Sequence, residues 1–249
     1  MEPETEDWVE NVRMLAESAR AVVPADGTLG RVRAARFIEP GFSPDVWATI
    51  VEMGWLGIRL REDFGGLDLG VREAVALSEI LGGGLVPEPV LPAILALGLL
   101  TEAGQGAAID SALGGETLVM PAWQATPDGL DPADGVTVSG GRLRGAKIAV
   151  AGGAGADLFA VTTAQGLALV PRDAAGLTVT AQSLHDGTFQ ARLDFDDVAV
   201  DLQPCAAMAD LLSEALLLHA GFLLGMSERA FAVTLEYLRV RKQFGVAIG

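Results

Sequence analysis

The chain predicts an α+β architecture in three parts. An N-terminal all-α helical domain covers residues 1–113, a middle β-sandwich or barrel domain covers 114–203, and the start of a C-terminal helical bundle covers 204–249. Three observations carry this. Up to residue 113, apolar residues recur at helical spacing between proline and glycine stops. At Gly114 the texture turns to short β-branched or alternating runs divided by Gly, Asp and Pro. From Asp210 a helical period returns and runs into a compact basic tip.

In the first part, Trp8, Val9, Val12, Leu15, Ala16, Ala19 and Val23 form an amphipathic stripe that stops at Pro24. Ser43-Pro44-Asp45 is a helix start: a capping hydroxyl, a proline at the first helical position and a carboxylate near the positive end of the dipole. That helix carries Val46, Trp47, Ile50, Val51 and Met53 and ends at Gly54. A third helix over 72–81 closes on Gly82-Gly83-Gly84, a fourth follows Pro87 and Pro89 to Ala103, and a short one covers 107–113. In the middle part, strands are expected at 117–124, 136–139, 146–151, 158–163, 167–170, 177–180 and 190–195, with Ser139-Gly140-Gly141 as a hairpin turn. The Asp194-Phe-Asp-Asp197 cluster suggests a solvated turn. In the last part, Leu217, Ala220, Phe222, Leu224, Phe231, Leu235 and Leu238 mark a helix buried on most sides, continuing towards Gly249.

Half of the 249 residues are hydrophobic and 20% are charged, as expected of a folded globular chain. The formal net charge is −16. From Ser213 onward four basic residues face three acidic ones, so this stretch carries +1 and the residues before it −17. That balance argues against nucleic-acid binding, which needs a basic face, and makes the tip Arg239-Val-Arg241-Lys242 the place to draw an anion. Cys205 is the single cysteine and the histidines, His185 and His219, lie far apart, so no metal site is expected. His219, on an apolar helix, is expected in the core. The acidic start MEPETEDWVE is not a leader, and the apolar runs 90–100 and 215–226 fall short of the roughly 20 residues of a membrane span. A cytoplasmic protein with no membrane partner is the expectation.

Several ordered motifs resemble the acyl-CoA dehydrogenase family over the whole length. Gly54-Trp-Leu-Gly-Ile-Arg-Leu-Arg-Glu-Asp-Phe-Gly-Gly-Leu is similar to the family's GLLGLxxPExxGG stretch. Leu77-Ser-Glu-Ile-Leu-Gly with Pro87-Glu-Pro-Val is similar to its continuation. Leu143-Arg-Gly-Ala-Lys147 followed by Gly155-Ala-Asp157-Leu-Phe-Ala-Val resembles LNGxKxfVxxAxxADxxxV. Gly225-Met-Ser-Glu-Arg-Ala230, then Tyr237-Leu-Arg-Val-Arg-Lys-Gln-Phe-Gly245 and Ile248-Gly249, give the strongest match.

The resemblance implies FAD-dependent α,β-dehydrogenation of an acyl-CoA thioester, with electrons leaving to an electron-transferring flavoprotein. It also implies a homo- or hetero-oligomer with another subunit of the family. On this likeness Arg241 pairs with the FAD pyrophosphate across a subunit interface, Gln243 and Phe244 line the adenosine part, and the backbone of Ala122 and Trp123 meets the flavin ring. The family's catalytic glutamate usually lies far downstream of RKQFG. In a minority of relatives it falls on the helix that begins here, at the position of Ala215, so Glu214 is the candidate base, one residue and about 100° out of register. The family's TEPxxGSD run is Ala122-Trp-Gln-Ala-Thr-Pro-Asp-Gly129 here, and its Trp-x-Thr is Ala149-Val-Ala151. These departures and the displaced base leave a second reading open: a catalytically silent partner subunit that supplies dimer surface and FAD contacts.

Overall fold

The computed structural model describes residues 3–24 and 27–248; Gly249, which ends the last quoted motif, lies outside the described residues. Its elements run α1 (Pro3–Ala19), α2 (Gly30–Ala35), α3 (Pro44–Glu52), α4 (Val71–Gly83), α5 (Val90–Glu102), α6 (Gly106–Leu113), β1 (Val119–Ala122), β2 (Val136–Ser139), β3 (Arg142–Ala151), β4 (Leu158–Thr163), β5 (Gly166–Pro171), β6 (Leu177–Ser183), β7 (Phe189–Ala199), β8 (Leu202–Gln203), α7 (Met208–Val240), β9 (Lys242–Gln243) and β10 (Val246–Ala247). Helices, then strands, then one long helix give the α+β class in the order expected from the sequence. The described residues divide into two compact units.

The larger unit takes residues 30–71 and 87–216. Ser43 caps α3 by accepting from Val46 N, Pro44 occupies the first turn, and Gly54 leaves the helix at φ 72°. Helix α5 is apolar on all sides and buried at Val90, Leu91, Leu95, Leu97, Leu99 and Leu100, as such a helix must be. Each fully buried aliphatic side chain there contributes roughly 1.5–3 kcal/mol. The strands form two four-stranded sheets, ordered β1-β4-β5-β8 and β2-β3-β7-β6. β1 runs parallel to β4 and the other neighbours are antiparallel. Met120, Phe159 and Val161 of the first sheet and Leu143, Leu193 and Phe195 of the second are buried. Gly140 and Gly141, at φ 57° and 70°, make the tight β2–β3 turn, which needs left-handed residues at both positions.

The cluster Asp194–Asp197 is not a turn. It lies within β7, where Leu193 and Phe195 face inward while Asp194 pairs with Arg192 at 2.6 Å and Asp197 with Arg144 at 2.6 Å. Asp194 and Asp196 are the outward half of a period-two pattern, and Asp197, at φ 62°, is the extra residue where the β3–β7 register slips.

The smaller unit takes the segments up to Leu29, Arg72–Val86 and from Leu217 onward. Its centre is a crossing of α4 and α7 through glycine. A Cβ on Gly225 would stand 1.9 Å from Glu79 O, and one on Gly82 would stand 2.0 Å from Phe222 O. Only residues without side chains let two helix backbones approach this closely. Within this unit the buried residues of α7 are Leu218, Gly221 and Gly225. Burial on most sides, expected from the sequence, does not hold: Leu217, Leu223, Leu224 and Phe231 are exposed by about half or more, and His219 is exposed as well. By length and composition alone α7 is long and apolar enough to cross a membrane, where the sequence reading put its apolar run short of a span. The helix stops at Val240, and the segment after it is a two-stranded hairpin, β9–β10, where the sequence reading continued the helix.

Candidate functional site

The end of β1 makes a shelf held from below by one buried lysine. Ala122 is fully buried and pairs with Val161, and Trp123 begins the loop that leads to β2. Lys147 on β3 is 0% exposed. Its Nζ donates to Trp123 O at 2.9 Å, Pro132 O at 2.8 Å and Asp134 O at 2.6 Å, with Thr162 Oγ1 at 3.4 Å. Three carbonyls for three N–H bonds satisfy an ammonium. Burial pulls Lys147 down to about 8, and the carboxylates of Asp134 and Asp131 act against that shift. Thr162 Oγ1 adds a 2.6 Å bond to Pro132 O. Just beyond Lys147 the β3–β7 register slips, Ala149 stands at φ 53°, and Ile148 N donates to Gln124 O at 2.8 Å. Such bulges bend a strand and re-aim its side chains. Here one falls where the family has its Trp-x-Thr run.

Glu214 lies near the start of α7, and both of its oxygens are taken. Arg59 Nε donates to Oε1 at 2.6 Å and Nη2 to Oε2 at 3.0 Å, while Nη1 reaches Leu69 O at 2.6 Å. This two-point fork is the strong form of guanidinium–carboxylate pairing. A carboxylate held this way is occupied as an acceptor, whereas a general base needs an oxygen open to the proton it removes. Ala215, the position used by a minority of the family, is buried.

Arg241 sits one residue past α7, at the base of the β9–β10 hairpin, and Ile248 N donates to its carbonyl at 3.1 Å. With the Gln243 amide turned so that its oxygen faces the guanidinium, Arg241 Nε and Nη2 donate to it at 3.1 and 2.9 Å. Phe244 and Gly245 form the turn at φ 52° and 87°. Phe244 is fully exposed, and Val246 is 66% exposed. The tip therefore presents a guanidinium paired with an amide, and an uncovered aromatic ring at the adjoining turn. These are groups that suit a diphosphate and a neighbouring flat apolar ring.

Known proteins resemble this chain in sequence and in structure. Residues 9–108 match the family described as acyl-CoA dehydrogenase, N-terminal domain. Acyl-CoA dehydrogenase FadE27 of Mycobacterium tuberculosis is 30% identical over 226 residues, covering 85% of this chain and 60% of that protein. Among solved structures, a variant of the Tcur3481-Tcur3483 steroid ACAD superposes with a TM-score of 0.85 at 28% identity, over 97% of this chain and 70% of that one.

The chain belongs to the acyl-CoA dehydrogenase family.

The ChsE4-ChsE5 complex from Mycobacterium tuberculosis is a further relative in structure, with a TM-score of 0.82 and 26% identity over 97% of this chain and 69% of that one. The chain spans about 60% of the length of its curated relative FadE27. The structure brings Ala122 and Trp123 onto the shelf, joins Arg241, Gln243 and Phe244 on one hairpin, and places Glu214 in a separate ion pair. Arg59 and Lys147 lie in motifs quoted above, but their contacts carried no local sequence signal. Arg59 is 155 residues from Glu214, and the acceptors of Lys147 are main-chain carbonyls, which any sequence supplies.

Proposed function

We propose that this chain is a subunit of a heteromeric, FAD-dependent acyl-CoA dehydrogenase, and that it supplies subunit surface and FAD contacts while a second family member supplies the catalytic base. The observation that carries this reading is the Arg59–Glu214 fork: the candidate base has both oxygens committed to a guanidinium. The relatives described as a Tcur3481-Tcur3483 pair and a ChsE4-ChsE5 complex support assembly of unlike subunits. On the same likeness we propose a steroid acyl-CoA thioester as substrate and an electron-transferring flavoprotein as acceptor, in the cytoplasm.

Bound FAD supplies the hydride acceptor for α,β-dehydrogenation. This chain's own residues do the holding. Arg241 neutralises diphosphate charge with Gln243 steadying its guanidinium, Phe244 covers the adenosine, and the backbone at Ala122 and Trp123 faces the flavin ring. Residues 1–113, 114–203 and 204–249 serve as the helical, β and C-terminal helical domains of that arrangement.

The test is to recover the tagged full chain from cells that also express its partner dehydrogenase subunits, and to record absorbance at about 450 nm, where oxidised flavin absorbs. Co-recovery of a longer family member with flavin colour and steroid acyl-CoA oxidation is expected. A chain that oxidises acyl-CoA by itself, with activity abolished by Glu214→Gln, would overturn the assignment of the base to the partner.

A further inference from the structure

We infer that Lys147 is a positioning residue whose buried ammonium fixes the loop between β1 and β2, and through it the Trp123 backbone that faces the cofactor. This inference rests on the flavin reading for its functional half, while its structural half stands on the geometry alone.

The loop from Trp123 to Asp134 contains Ala125-Thr-Pro-Asp-Gly-Leu-Asp-Pro and has little regular structure of its own. Its internal bonds are local: Gln124 Nε2 donates to Thr126 O and Pro127 O at 3.0 and 3.1 Å, and Ala133 N to Asp131 Oδ1 at 2.9 Å. Lys147 alone among the described side chains ties both ends of the loop to the sheet, holding Trp123 O at one end and Pro132 O and Asp134 O at the other. Thr162 on β4 braces the same point through Pro132 O.

A buried charge is costly unless each of its donors is matched. Here each N–H of the ammonium has a carbonyl, so the charge is stable only while the loop stays where it is, and without the charge the loop keeps only the weaker ties of Thr162 Oγ1 to Pro132 O and Ile148 N to Gln124 O. A neutral side chain of the same length would leave Trp123 O and Asp134 O without this donor, while Pro132 O would keep only Thr162 Oγ1. The ammonium points at main-chain oxygens and takes no part in proton transfer; its effect on the cofactor passes through Trp123. Side chains that face it from the packed elements are Thr162 and the carboxylates of Asp131 and Asp134.

The test uses Lys147→Met, close in length and uncharged, and Thr162→Val as a milder variant in case the first does not fold. Amide hydrogen exchange is read across 123–134 and, as an internal reference, across β4 and β5. FAD affinity is read on the complex with its partner subunit. Loop exchange at least tenfold faster with β4 and β5 unchanged, and FAD bound at least tenfold more weakly, is the expected result for Lys147→Met, with a smaller change for Thr162→Val. Lys147→Ala should recover loop protection and flavin affinity on addition of n-propylammonium, the fragment deleted, and not on addition of n-propanol. A folded variant with unchanged loop exchange overturns the inference. Loosened exchange with FAD affinity unchanged overturns its functional half. Failure of the wild-type complex to bind FAD at all overturns the flavin reading instead, with the clamp still decided by exchange.

Discussion

Glu214 shows how one contact decides a role. A carboxylate one residue from a position used for catalysis elsewhere in the family is caught by Arg59 in a two-point pair, each side chain about 30% exposed. Glu214→Gln is therefore expected to lower stability by about 1–3 kcal/mol, the loss of a charge-assisted pair, and to leave the turnover of an assembled complex unchanged. Denaturant titration and steady-state rates on the same preparations check both halves. A second acid behaves differently. Glu79 is held above the usual carboxylate range, first by burial and then by the Glu228 carboxylate, which also shares a hydrogen bond with it. The folded chain thus keeps a proton that the unfolded chain has released. Stability from this group is present at low pH and falls as pH rises through the raised value. Glu79→Gln should be more stable than the wild type at pH 7 by a few tenths of a kcal/mol, as for other like-charge pairs, and the advantage should shrink in acid. A difference that does not vary with pH would remove the carboxyl pair as its cause.

At the scale of elements, the α4–α7 crossing rests on glycine. Gly225→Ala adds a methyl where the carbonyl of Glu79 already stands. The gain in helix propensity, about 1 kcal/mol, should be outweighed by overpacking, for a net loss of about 1–3 kcal/mol, measurable by thermal or denaturant unfolding. A stabilised variant would mean that the helices do not meet backbone to backbone. The elements that sequence made legible are those with a long enough pattern. β2 and β4 fall on the expected residues, the α3 start lies at Ser43-Pro44, and the β2–β3 turn lies at Gly140-Gly141. Helix α2 at six residues and β8 at two are too short to show a period. The strand expected at 190–195 continues as β7 to Ala199, and that continuation was obscured because aspartates at 194, 196 and 197 suggested a solvated turn. For the site, residue types were legible and partners were not. Arg241, Gln243 and Phe244 share a short motif, and the hairpin that displays them begins one residue past a helix whose period gives no reason to stop. Lys147 and Arg59 act through contacts distant in sequence, which no local pattern reports.

The whole chain carries −16, while its last 37 residues carry +1 and end in a hairpin with a guanidinium and an uncovered phenyl ring. An acidic body with one cationic tip directs an anionic ligand, or a partner already holding one, to that tip. The central claim is that this tip grips the diphosphate of FAD within an assembly of unlike subunits. The most direct measurement is flavin absorbance at about 450 nm in the co-purified complex, compared between the wild type and Arg241→Ala during dilution. The wild type should retain its colour. Arg241→Ala should still assemble and should release flavin with an affinity weaker by about 1.5–3 kcal/mol, the worth of a charge-assisted pair. Equal retention by the two complexes would contradict the claim.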